Sequence, residues 1–102
     1  MAKYQVELLL AAWQDIDKLS DIYLRLVGPA AAQRITDQIL DTLQRLGDFP
    51  YMGAQHPDLE LAKREFRKVI CGDYVCVYKV IEETVYVYRI VNGKTDYPKL
   101  LR

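Results

Sequence analysis

The chain has 102 residues, 51% apolar and 27% charged, with fourteen basic side chains balanced by fourteen acidic ones. This is the composition of one ordinary globular domain, 1–102, able to bury roughly 60–65% of its unfolded surface around a two-layer core. It excludes a global field that would gather nucleic acid or a membrane surface, and no apolar run approaches the roughly 20 residues of a membrane span.

The N-terminus, MAKYQVELLLAAWQD, lacks the basic start, long apolar run and small-residue cleavage site of a signal peptide, so a cytoplasmic location is expected. Cys71 and Cys76 flank a turn and read as free thiols of a reducing compartment. His56 is the single histidine, so neither cysteine has the partners of a zinc site, and no metal or cofactor is expected.

In chain order, Lys3 to Leu8 alternates Tyr4, Val6 and Leu8 with polar residues, a short strand with one polar face. Ala11 to Val27 repeats Ala12, Ile16, Leu19, Tyr23 and Leu26 at helical spacing, with Asp15, Asp17, Lys18 and Asp21 on the solvated side. Gly28-Pro29 ends that helix and opens a second, from about Pro29 to Leu46, whose stripe is Ala32, Ile35, Ile39, Leu43 and Leu46. Gly47 is expected to stop it. So short a turn makes the two helices an αα-hairpin. Asp48 to Lys63 reads as a loop pinned by Phe49, Met52 and Leu59, with a helical turn around Asp58 to Ala62.

Phe66 to Tyr97 then reads as three antiparallel strands broken at Gly72-Asp73 and Glu82-Glu83. A tail, Pro98 to Arg102, docks through its leucines. The order β-α-α-β-β-β predicts an α+β fold, the αα-hairpin packed on one face of a small, mainly antiparallel sheet.

Both faces of the last two strands are apolar, which an antiparallel sheet rarely allows unless both are covered. Strict alternation places Tyr74, Tyr78, Tyr86 and Tyr88 under the helices. It places Val75, Val77, Val87 and Val91, with Arg89 and Lys68, on the other side. That second face reads as a partner surface, unless the 48–63 loop or the tail covers it.

Candidate chemistry is sparse. No phosphate-binding glycine loop, nucleophile elbow or metal-ligand cluster occurs. Asp15/Asp17 and Glu82/Glu83 read as a solvated helix face and a turn. His56 is a candidate general acid or base with no carboxylate or nucleophile tied to it. Lys63, Arg64, Arg67 and Lys68 could engage an anionic partner, or could simply guard a sheet edge.

The order and spacing of several segments resemble the RelE/ParE superfamily of toxins from bacterial type II toxin–antitoxin (plasmid stabilisation) systems. They are Ala12-Trp13-Gln14-Asp15-Ile16, Phe49-Pro50-Tyr51-Met52-Gly53, Arg67, Gly72-Asp73-Tyr74-Val75-Cys76-Val77-Tyr78 and Tyr88-Arg89-Ile90-Val91-Asn92-Gly93-Lys94-Thr95-Asp96-Tyr97. The resemblance implies the same β-α-α-β-β-β fold and a small antitoxin that wraps the toxin. It places antitoxin binding on Val75, Val77, Val87, Arg89 and Val91, and target binding on Arg64, Arg67, Lys68, Lys94 and Tyr97.

The ribonuclease branch of that superfamily cuts messenger RNA on the ribosome with arginines, lysines and a C-terminal tyrosine or histidine. Its catalytic positions fall here on Val75, Thr95 and Leu101, with Phe66 on one of two paired lysines and Lys68 on the other. Valine and leucine neither transfer protons nor stabilise charge. The Phe-Pro-x-Met-Gly segment and the Asp96-Tyr97-Pro98-Lys99-Leu100-Leu101 ending are closer to the ParE-like branch, which poisons DNA gyrase without catalytic residues. The expectation is therefore a non-catalytic toxin with DNA gyrase as target. The alternatives are a ribosome-dependent ribonuclease or a non-toxic interaction domain. Its assembly would be a toxin–antitoxin hetero-oligomer or a homodimer.

Overall fold

The computed structural model describes residues 3–101. The first strand, β1, is Gln5–Leu8, and the two long helices are α1, Leu10–Leu26, and α2, Pro29–Asp48. The expected loop then contains a two-residue strand, β2, Ala54–Gln55, and a short helix, α3, Leu59–Lys63. The Asp58 carboxylate caps α3 by accepting from Leu61 N–H at 3.1 Å. Strands β3 (Arg67–Cys71), β4 (Tyr74–Ile81) and β5 (Thr84–Asn92) follow, and a 3-10 turn, Tyr97–Leu100, closes the chain. Among the described residues, no helix is long and apolar enough to cross a membrane.

The strands form one sheet in the order β1-β5-β4-β3-β2. β1 runs parallel to β5, from Gln5 opposite Thr84 to Leu8 opposite Val87, and the other pairings are antiparallel. Gly47 does not stop α2 but lies in its last turn. A Cβ there would come within 3.0 Å of the Tyr4 carbonyl oxygen and 3.1 Å of Lys3 Cε, while Tyr4 N–H donates to Gly47 O at 2.9 Å. The glycine lets β1's lead-in cross the helix end at close range.

One irregularity reverses part of the sequence reading. Val77 lies opposite Arg89, but the next residue, Tyr78, lies opposite Val87, so Tyr88 is an extra residue in β5. A bulge of this kind shifts side-chain parity along its strand. Val85 and Val87 therefore face α1 and α2, in one core with Ile16, Ile39, Leu43, Cys76, Tyr78 and Ile90. Tyr88, expected there, packs instead against the opposite cluster, and Tyr86 lies across from Lys79 on that same side. Tyr74 and Tyr78 remain on the helix face as expected.

β5 extends past the end of β1, which leaves the Ile90 N–H at an open sheet edge. Asp15 of α1 fills the gap. One carboxylate oxygen accepts from Ile90 N–H at 2.9 Å and from Arg89 Nε at 2.7 Å, and the other accepts from Arg89 Nη2 at 2.9 Å. The Asp15 side chain is only 12% exposed, so it is not the solvated helix-face residue that its sequence context suggests. This bidentate pair clamps the helical hairpin to the bulge. Replacing Asp15 by alanine should remove about 2–3 kcal/mol of stability, the scale of losing charge-assisted hydrogen bonds, and Asp15→Asn should cost less. Urea unfolding of the three proteins checks this, and equal midpoints would refute it.

Candidate functional site

The second face of the sheet is not open. Val75, Val77 and Val91 lie beneath Leu61 of α3, Phe66 and Tyr97, with Tyr88 and Leu101 at the margin. Val77 is fully buried there, and Val87 is fully buried on the opposite side beneath the helices. The expected groove is thus replaced by an internal cover made from both the 56–66 segment and the tail. Arg89, expected beside the valines, is committed to Asp15.

The cover is fastened by polar bonds. His56 is buried and its Nδ1 accepts from Asp58 N–H at 3.1 Å. That bond puts the neutral ring's proton on Nε2, which donates to Tyr97 Oη at 2.7 Å. The two rings meet edge-on, with centroids 5.5 Å apart. Arg64 Nη1 donates to the Leu101 carbonyl at 2.9 Å and holds the end of the same segment. Burial lowers the His56 pKa from 6.5, the Lys68 charge lowers it further, and Asp58 pulls the other way. The ring is a structural donor rather than a proton shuttle facing solvent. Burial, with Asp58 nearby, also raises the Tyr97 pKa.

A second built element is the Phe49–Gly53 loop. The buried Tyr78 hydroxyl accepts from Gly53 N–H at 3.0 Å and donates to Pro50 O at 2.9 Å. Arg67 reaches the loop from β3, giving Gly53 O two bonds, at 3.0 Å from Nε and 2.7 Å from Nη2, while its guanidinium lies 5.2 Å from the Tyr51 ring centre. Only glycine fits at position 53, because a Cβ would come within 2.4 Å of Lys68 O and 2.6 Å of Tyr78 Oη. Hydrogen bonds between its backbone and the Tyr78 and Arg67 side chains hold this loop, not its own apolar side chains. Phe49, Met52 and Leu59, expected to pin the 48–63 segment, are 62%, 39% and 77% exposed.

The five residues expected to bind a target are therefore spread among different duties. Lys68 and Tyr97 both neighbour His56, Arg64 anchors Leu101, Arg67 is spent on the loop, and Lys94 stands in the exposed turn after β5. The sequence reading missed Lys79, whose ammonium lies 4.4 Å from the Phe66 ring centre and 5.5 Å from that of Tyr88. Its signal was a lone cation amid apolar residues of a strand. Both cysteines are free and buried, and burial, then Cys71, pushes the Cys76 thiol up to about 12, far from any reactive thiolate.

A family profile described as ParE toxin of type II toxin-antitoxin system, parDE, matches residues 6–97. The chain belongs to the ParE toxin family. Similar solved structures include the chromosomal ParDE toxin–antitoxin system of P. aeruginosa, at 19% identity and TM-score 0.76, covering 90% of this chain and 98% of that one. The RelBE2 toxin–antitoxin complex of Mycobacterium tuberculosis follows at 20% identity and TM-score 0.67, covering 88% and 98%. A YoeB/ParE toxin from Agrobacterium tumefaciens matches at 15% identity and TM-score 0.58, covering 87% and 98%. At these identities the structures establish a shared fold. No curated protein sequence matches significantly.

Two outcomes follow for this ParE-family domain. The unfolded chain protonates His56 at its ordinary value, whereas the folded ring resists protonation. The unfolded state therefore binds more protons below about pH 6.5, and stability should fall as pH drops through that value until the folded ring itself titrates. Urea midpoints taken at about pH 7.5 and 5.5 should show this loss in the wild type and a smaller one in His56→Gln; identical slopes would exclude it. Val77→Asp buries a carboxylate with no partner and should leave the chain largely unfolded by far-UV circular dichroism.

Proposed function

We propose that this chain is the toxin of a type II toxin–antitoxin pair, neutralised by a small antitoxin and inhibiting DNA gyrase when free. Family membership supports the toxin role. The observation that carries the non-catalytic reading is the chemistry of the second sheet face. Where the ribonuclease branch keeps proton-transfer and phosphate-stabilising groups, this chain has Val75 in an apolar cluster, Thr95 in a turn and Leu101 at the cluster margin. Cleaving RNA through a ribose hydroxyl needs a base and charge stabilisation at the reacting atoms. The cations nearby are otherwise engaged, with Arg67 on loop carbonyls and Lys79 over two aromatic rings.

An antitoxin reaching Val75, Val77 or Val91 would have to displace Tyr97 and Leu101. Re-exposing large apolar side chains costs about 1.5–3 kcal/mol each. Arg89 would be available to a partner only by surrendering Asp15. Contact with those residues is therefore a displacement event rather than docking onto a free groove.

Inducing the chain alone in bacteria should arrest growth, and the purified protein should inhibit gyrase supercoiling or trap cleaved DNA. If a small reading frame adjoins the gene, its co-expression should restore growth. Normal growth at confirmed soluble expression counts against toxicity, and codon-positioned cuts in messages by primer extension would replace gyrase with the ribosome.

A further inference from the structure

The Phe49–Gly53 loop presents an aromatic surface that is rigid and open at once. We propose that this surface, centred on Phe49, Tyr51 and Met52 and rimmed by Arg45 and Arg67, is the docking site of the neutralising antitoxin segment, which meets it with bulky apolar side chains flanked by carboxylates. The proposal rests on the toxin–antitoxin reading above and names the place and chemistry of the contact.

Three observations carry it. First, Phe49, Tyr51 and Met52 are 62%, 59% and 39% exposed, although their backbone is fixed from below by the Tyr78 hydroxyl and the Arg67 guanidinium. A loop already held in place loses little conformational freedom when a partner covers it. Second, these side chains with Arg45, Asp48 and Pro50 line an open hollow of about 500 Å³, and aromatic residues, methionine and arginine are the types enriched at interface centres.

Third, the charge around the hollow is unbalanced. Asp48, the acid in its lining, is matched by Lys3 at 3.8 Å. Among the described residues, neither Arg45 nor Arg67 has a carboxylate within ion-pair distance, the pairs formed being Lys3–Asp48, Arg25–Asp21, Arg89–Asp15 and Lys99–Asp96. Arg45 lines the hollow, and Arg67, whose Nε and Nη2 are held by Gly53 O, still carries an uncompensated charge against the Tyr51 ring. An apolar hollow beside those charges selects a segment that is apolar and acidic together. A single-stranded nucleic acid is the poorer fit, since it needs a basic groove following successive phosphates. The surface also differs from the valine face in energetic terms, because nothing has to be displaced to reach it.

The test uses the full chain and, as the antitoxin, the protein encoded by a small reading frame found adjoining its gene. Phe49→Ser/Met52→Ser should weaken binding about 30-fold or more, and Arg45→Glu about tenfold, in a competition titration. All these side chains are exposed, so unchanged thermal unfolding should accompany the loss. A photo-crosslinking phenylalanine at position 51 should join to the antitoxin in the assembled pair. Wild-type affinity in both variants, or no crosslink from a pair that otherwise assembles, overturns the docking site and leaves the toxin reading standing. If the neighbouring protein does not bind the unmodified chain, the toxin–antitoxin reading fails and takes the docking site with it. If the variants lose binding to a fluorescent oligothymidine while antitoxin binding persists, the surface belongs to nucleic acid and the proposal is overturned.

Discussion

The hairpin of β4 and β5 carries apolar side chains on both faces, and both must be kept from water. This constraint organises the fold. Two long helices supply one cover, and that part is simple amphipathic packing. The other cover is assembled from pieces far apart in sequence: α3, Phe66 and the C-terminal turn. Each piece is too short to be stable alone, since an isolated helix of five residues is far below the length at which helices persist in water. The second cluster therefore holds the pieces together as much as they hide it. Polar fastenings at His56–Tyr97 and Arg64–Leu101 fix the register in which the tail lies across the sheet.

The bulge at Tyr88 reconciles the two covers. Without the extra residue, β5 would keep one parity throughout, and either Val85 and Val87 or Ile90 would point away from the helices. With it, all three enter the helix-side core and Tyr88 joins the other. The bend also brings Arg89 and the free Ile90 N–H to one place, where the Asp15 carboxylate satisfies both. A strand irregularity, a sheet edge and a helix carboxylate thus form one device.

The parts legible in the sequence were those that repeat. Helical stripes over 11–27 and 29–46, and valine–tyrosine runs over 66–97, fixed the element types, and the short helix–helix turn fixed the hairpin. The bulge was not legible, because a one-residue insertion leaves local composition unchanged while flipping everything beyond it. Asp15 looked like its neighbour Asp17, since no helical periodicity reveals that a sheet edge ends opposite one of them. In sequence Phe49 and Met52 look like anchors, because apolar residues in a loop usually are. Here hydrogen bonds from Tyr78 and Arg67 do the anchoring, and only three-dimensional contact shows it. The second cover was open to either reading in the sequence, and the structure decided for the monomer.

The same geometry explains why basic residues near a sheet face need not be a site. A guanidinium is useful to phosphate chemistry only when its donors point at the reacting group. Arg67 has spent its Nε and Nη2 donors on Gly53 O, Arg64 has turned to Leu101 O, and Arg89 has taken a carboxylate. Each commitment stabilises a segment that could not order itself: the loop, the tail and the bulge. The guanidiniums of this chain serve its frame rather than an open face. What remains for a partner is then decided by exposure, and on the Phe49–Gly53 loop exposed apolar side chains stand on a backbone held by Tyr78 and Arg67. A surface that stays apolar, open and ordered in the free chain retains its hydrophobic driving force for a partner rather than spending it on folding.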